Sequence, residues 1–133
     1  MTHTFELRVY YEDTDLAGIV YYANYLKFIE RARSEYVREL GVDQAALKRD
    51  SGLVFAVRRV EADYLSPAQF DDLLRVETAP LQVTPARLVL RQDVLRGEQR
   101  LFVSQVTLVA LGEAGKPTRL PEVLRRALAA TET

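Results

Sequence analysis

Phe5, Leu7, Val9 and Tyr11 alternate with Glu6, Arg8 and Tyr10. A period of two, with aromatic and β-branched residues, predicts a half-buried strand over Phe5–Tyr11. The run EDTDLAG (Glu12–Gly18) then breaks the alternation with acids, Thr14 and Gly18, and predicts a loop. From Asn24 the spacing changes to threes and fours. Tyr25, Phe28, Ile29, Ala32, Tyr36 and Leu40 form one stripe, while Lys27, Glu30, Arg31, Arg38 and Glu39 lie mostly off it. With Asn24 as N-cap and Gly41 just past the end, a helix is expected over Tyr25–Leu40, about 24 Å long. A short second helix is expected over Asp43–Arg49.

Beyond Gly52 the pattern is that of strands: Leu53–Tyr64, Leu74–Val83, Arg87–Leu95 and Leu101–Leu111. In the first of these the apolar parity flips between Val57 and Val60, which predicts a bulge near Arg58-Arg59. Thr84-Pro85 and Arg96-Gly97-Glu98 are turn candidates. Leu120–Ala130, with Pro121 early, reads as a terminal helix. Strand, long helix, then four strands joined by short turns describes an α+β domain with an antiparallel sheet. Leu88-Val89-Leu90 and Val106–Leu111 place apolar residues on both parities, so part of the second face is expected to be covered by another subunit.

The 133 residues suit a single domain spanning 1–133. With 18 basic and 19 acidic side chains the net charge is −1, which gives no reason to expect a nucleic acid partner. The absence of cysteine excludes disulfides, thiolate metal ligands and a cysteine nucleophile, and fits a reducing, cytoplasmic compartment. The only histidine, His3, is expected at a frayed end, away from any chemistry. The N-terminal residues carry no signal-peptide pattern, and no apolar run reaches the roughly 20 residues of a membrane span. Neither a metal site nor a bound cofactor is expected, since no metal-ligand, nucleotide-loop or G-x-S-x-G motif occurs.

Chemistry is concentrated in Tyr10–Tyr25, YYEDTDLAGIVYYANY, where Glu12, Asp13, Asp15, Gly18 and several tyrosines meet at a strand–helix junction. Unpaired N–H groups near a helix start stabilise developing negative charge, and a nearby carboxylate can attack a carbonyl or activate water. On residue types alone, Asp15 serves equally well as a turn residue or cap.

RVYYEDTDLAGIVYYANYLKFIERARSEYVRELG (Arg8–Gly41) joins D-T-D-x-x-G, V-Y-Y-x-N-Y and E-R-A-R in fixed order. It resembles the 4-hydroxybenzoyl-CoA thioesterase-like branch of the hotdog superfamily, and in particular the acyl-CoA thioesterases associated with the Tol–Pal envelope system. FAVRRVEADYLSPAQFDDLLRVET (Phe55–Thr78) supports the likeness. The resemblance implies a hotdog fold, with a long central helix wrapped by a curved five-stranded antiparallel sheet and a short C-terminal helix. It also implies homodimers or homotetramers with active sites at the subunit interface. The implied activity is hydrolysis of an acyl-CoA, with Asp15 as nucleophile or general base. The Tyr22 N–H would polarise the thioester carbonyl, Gly18 would let the loop come close, and Asn24 and Tyr25 would fix the helix start. Tol–Pal-associated members usually carry His at the position of Tyr22, which puts substrate preference in question more than mechanism.

Coenzyme A phosphates need cations, for which Arg58, Arg59, Arg87 and Arg91 are candidates, with Arg119 and Arg125 from the C-terminal end. Solvated strand faces explain each of them as well. Phe28, Phe55 and Val57 are candidates for an acyl pocket, or equally for core packing. Hydratase chemistry in this superfamily needs a His–acid pair that is absent here. A non-catalytic acyl-CoA-binding or interaction protein is the competing reading.

Overall fold

A computed structural model of the chain describes residues Thr2–Ala130. The elements are β1 (His3–Arg8), α1 (Asn24–Glu39), α2 (Gln44–Ser51), β2 (Val54–Tyr64), β3 (Leu73–Val83), β4 (Leu88–Arg96), β5 (Gln99–Leu111), β6 (Pro117–Thr118) and α3 (Glu122–Ala130). The expected N-cap is displaced by one residue. Ala23 occupies that place without a side-chain cap, and Asn24 is already helical. Its amide donates to Asp13 O instead. The helix stops at Gly41, whose φ of +89° is a backbone state that a side chain disfavours. α2 is capped by Asp43, which accepts from the Ala46 N–H at 3.0 Å. β1 is shorter than predicted, because Tyr11–Asp13 turn as a single 3-10 turn.

All strand pairs are antiparallel, in the order β1-β3-β4-β5-β2, and the two-residue β6 pairs with Ala110 and Leu111 of β5. This corrects the expected architecture. The sheet has six strands when β6 is counted, and its edge strands β1 and β2 do not meet. It is neither closed nor strongly curled around the helix. α1 instead lies chiefly across β1, β3 and β4, which leaves a groove on its β2 side. The predicted bulge is present: register shifts between Val57 and Arg59.

The helix stripe supplies Phe28, Ile29, Ala32 and Tyr36 to a buried layer against Leu74, Val76, Leu90, Val94, Phe102 and Val106. Burying a side chain such as Phe28 or Ile29 is worth about 1.5–3 kcal/mol each. One polar row crosses this layer, because Thr78, Gln92 and Ser104 are in register on β3, β4 and β5. The Gln92 amide donates to Thr78 Oγ1 at 3.0 Å and to the Ile29 carbonyl at 2.9 Å, and accepts from Arg33 at 3.0 Å. Being fully bonded, the row ties α1 to the sheet in one register.

The outward face differs from the apolar surface expected. Arg75, Glu77, Arg91, Asp93 and Arg100 form a charged array there, with Arg91 and Arg100 both bonding Asp93 Oδ2 at 3.0 and 3.1 Å. The apolar residues on the same face, such as Val89, Val103 and Val109, are only partly exposed beside it.

Candidate active site

The loop between β1 and α1 is pinned at several points. Thr14 and Val20 face each other in a strand-like bridge: the Asp15 N–H donates to Ile19 O at 2.9 Å, and the Tyr21 N–H to Asp13 O at 3.0 Å. The amide of Asn24 also donates to Asp13 O, at 2.9 Å, so the start of α1 clamps the loop. On the other side, the Val20 N–H bonds Ala68 O at 2.8 Å. At the tip the Ala17 N–H donates to Asp15 Oδ1 at 2.9 Å, and Gly18 turns the chain back with φ +80°. A Cβ at Gly18 would meet nothing within 4 Å, so its positive φ is what the position requires.

This arrangement leaves two groups unused. Asp15 is exposed, and its second oxygen has no partner among the described residues. The N–H of Tyr22, just before the helix, donates to no protein acceptor among them. The Tyr22 carbonyl, by contrast, accepts from the Tyr64 hydroxyl at 2.9 Å. Tyr22 borders a cavity of about 330 Å³, lined also by Ile19, Val20, Tyr25, Tyr64 and Pro67; Asp15 lies on the same loop and does not line it.

Tyr25 is buried, stacked on Phe102 at 5.0 Å between ring centres, and its hydroxyl accepts from the Ala68 N–H at 3.0 Å. Burial pushes its phenol above the ordinary value, with the Ala68 N–H pulling the other way. It anchors the loop to the core. Phe28 is wholly buried and presents no surface to a ligand. Phe55 and Val57 line the groove of about 440 Å³ between α1 and β2.

The candidate arginines are dispersed. Arg58 is exposed at the β2 bulge and Arg59 pairs with Glu61 at 2.9 Å. Arg87 lies in the turn before β4, and the Leu120 N–H bonding Pro85 O at 2.9 Å brings Arg119 near that turn. Arg91 belongs to the outward array, and Arg125 donates to Leu120 O at 3.2 Å. β4 is about 27 Å long at ~3.4 Å per residue. Its far end, Arg96, bonds Asp72 at 2.7 Å, next to the loop. Within one chain, therefore, the structure does not bring Arg87 or Arg119 to Asp15. His3 is not frayed: it stands in β1, paired with Glu39 at 2.9 Å and packed on Tyr36. No group of His, Asp and Glu able to hold a metal occurs among the described residues.

Three residues were not singled out from sequence. Tyr64 reads there only as a strand residue. Arg33 is the one cation placed four residues after Ile29 on the buried stripe, a visible but weak signal. Asp93 is a buried carboxylate whose Oδ1 has no partner, on the face turned away from α1.

A Thioesterase superfamily pattern matches residues 17–103. The acyl-CoA thioesterase YbgC of Haemophilus influenzae is 42% identical over 127 residues, which cover 93% of this chain and 92% of that one. The acyl-CoA thioester hydrolase YbgC of Escherichia coli O6:H1 is 37% identical over 118 residues, 87% of each. A solved structure, a probable thioesterase from Bartonella henselae, superposes with a TM-score of 0.87 at 40% identity, covering 91% of this chain and 100% of that one. The chain belongs to the hotdog-fold acyl-CoA thioesterase family. Among hotdog thioesterases it is close to the Tol–Pal-associated branch, as the resemblance over Arg8–Gly41 implied. No helix of the described residues is long and apolar enough to cross a membrane.

Proposed function

We propose that this hotdog acyl-CoA thioesterase uses Asp15 and the Tyr22 N–H to hydrolyse the thioester of an acyl-CoA to free acid and CoA. The observation that carries the assignment is the pair of unused groups on one pinned loop: an Asp15 oxygen without a partner, and an unpaired N–H at Tyr22, which borders a cavity of about 330 Å³. The N–H donates a hydrogen bond to the oxygen that becomes negative as the carbonyl carbon turns tetrahedral. In one route an Asp15 oxygen attacks that carbon, the C–S bond breaks, and CoA leaves as a thiolate that takes up a proton. Water then cleaves the mixed anhydride and returns the carboxylate. In the other, Asp15 takes a proton from water, which attacks directly. Trapping an anhydride with hydroxylamine in a single turnover selects the first route; absence of any trapped species with full turnover selects the second.

The 1–133 domain acts as a homo-oligomer in the cytoplasm, with each site drawing on two chains. The distance of Arg87 and Arg119 from Asp15 within one chain supports this, since cations for the CoA phosphates then come from a neighbouring copy. Asn24 and Tyr25 position the site, Gly18 shapes it, and Phe55 and Val57 receive the acyl group.

Free-thiol release from short-chain, long-chain, hydroxybenzoyl and phenylacetyl CoAs tests the reading. Release that depends on Asp15 supports it; release equally fast in D15N moves the chemistry to another residue.

A further inference from the structure

The groove between α1 and β2 contains a charge that its surroundings balance only in part. Arg33 lines it together with Ile29, Val37, Phe55, Val57 and Leu108, an otherwise mostly apolar wall enclosing about 440 Å³. The guanidinium reaches into the polar row of the core, where one nitrogen donates to the neutral Gln92 amide at 3.0 Å. Its remaining donors have no acceptor, and no carboxylate pairs with it, among the described residues. Glu30, one turn earlier on the same groove, is exposed to solvent and makes no ion pair with it. Desolvation accordingly makes the charged form of Arg33 less favourable than in water, with Glu30 partly offsetting this. A half-buried cation with no directly paired carboxylate is costly, and an arriving anion that bonds it relieves that cost.

The groove lies further along α1 than the proposed reaction centre, with Leu26, four residues after Tyr22, in its lining. β2 runs back along the helix: Tyr64 at its end meets Tyr22, while Phe55, Val57 and Val60 at its other half line the groove with Arg33 and Val37. Nine residues from Asn24 to Arg33 advance about 13 Å along the helix axis. The arginine side chain leans back toward the N-terminus, so roughly 10–13 Å separate the Tyr22 N–H from the guanidinium. An extended chain advances about 1.2 Å per bond, which corresponds to about ten bonds.

We propose that Arg33 is a specificity residue that selects acyl-CoAs whose acyl group carries a carboxylate at its far end, about ten carbons from the thioester. The methylene chain lies along Ile29, Phe55 and Val57, and the terminal carboxylate takes the donors that Gln92 leaves free. A guanidinium offers a planar fork that matches a carboxylate in two bonds, which a lysine ammonium cannot reproduce. This inference rests on the thioester being held at Asp15 and Tyr22.

The test compares kcat/KM for decanoyl-CoA with that for its ω-carboxy counterpart, 9-carboxynonanoyl-CoA, alongside a short acyl-CoA that cannot reach Arg33. The native protein is expected to favour the ω-carboxy substrate by at least tenfold, as charged hydrogen bonds in a half-buried site provide. In R33M that ratio falls to about one or below, and in R33K it takes an intermediate value. Turnover of the short acyl-CoA reports on the Asp15 site alone. If it is hydrolysed but the native ratio is one or less, or R33M keeps the native ratio, the specificity assignment is overturned and the Asp15 reading stands. If no acyl-CoA of any length is hydrolysed, both fall. Should R33M not fold, the native ratio decides by itself.

Discussion

The Tyr64 hydroxyl donates a 2.9 Å hydrogen bond to the carbonyl of Tyr22, tying the end of β2 to a residue 42 positions earlier. The two rings also meet edge on, 6.3 Å apart. The Tyr22–Ala23 peptide is thereby held at its oxygen, while the Tyr22 N–H on the preceding peptide remains unpaired. If the Tyr22 N–H acts as proposed, Tyr64 positions it through this bond.

Changing Tyr64 to Phe removes that bond and keeps the ring packing on Phe102. We expect kcat to fall about 3- to 20-fold, with a stability loss of about 1 kcal/mol, the usual worth of one hydrogen bond. Tyr22→Phe retains the N–H and should cost much less. Steady-state kinetics on both variants decide the matter: a larger loss in Y22F than in Y64F would place the Tyr22 phenol, rather than the backbone, in the reaction.

In D15N the side-chain oxygen still accepts from the Ala17 N–H, so the loop tip keeps its bond. The amide is neither a nucleophile nor a base, and kcat should fall by about 10²- to 10⁴-fold. Circular dichroism and size-exclusion profiles should match those of the native protein. Steady-state turnover within a factor of a few of native would remove Asp15 from the mechanism.

The element order was readable because period 2 and period 3.6 are both strong here: the stripe from Tyr25 to Tyr36 is buried on α1, with Val37 beside it, and the parity flip at Arg58 is a real bulge. Sheet shape was not readable. Alternation tells which residues face the core, yet curvature depends on twist and on how far the edge strands approach each other, and neither leaves a mark on residue type. Asn24 misled as a cap because its amide bonds Asp13 O, eleven residues back, instead of its own helix. The loop Tyr10–Tyr25 stood out by its dense polar and aromatic content. Tyr64 and Arg33 did not, since their partners, Tyr22 and Gln92, lie 42 and 59 residues away. Contacts at such separations follow from register, which a single sequence does not display.

Asp93 is a second carboxylate on which a hydrolytic role can be tested. Both neighbouring arginines grip one of its oxygens, and it faces away from α1. Changing it to Asn should lower stability by about 1–3 kcal/mol through lost charged hydrogen bonds, with kcat little altered. Arg91 and Arg100 are about half exposed, which keeps the loss at the lower end of that range. Urea unfolding and turnover measured together distinguish the roles. A hundredfold fall in kcat with an unchanged midpoint would make Asp93 part of the chemistry.

Tyr36 ties alkaline stability to the packing of β1 on α1. It is 4% exposed, its hydroxyl has no hydrogen-bond partner, and the His3 ring lies 5.6 Å away. Burial pushes its phenol up to about 12, with the charge of Glu39 adding to the effect. An unfolded tyrosine ionises near 10. Between these values the native state keeps a proton that the unfolded state has lost, so stability is intact below about pH 10 and declines as pH rises toward 12. A shift of this size corresponds to a loss on the order of 2 kcal/mol across that window. Tyr36→Phe removes the ionisable group and also an unpaired buried hydroxyl. We expect equal or higher stability at pH 7.5, by up to about 1 kcal/mol, and a shallower decline between pH 10 and 11.5. Tyr25 and Tyr64, both raised by burial, keep part of the native slope in the variant. Urea midpoints of both proteins at pH 7.5, 10 and 11.5 provide the comparison; parallel declines would show that Tyr36 does not ionise on unfolding in this range.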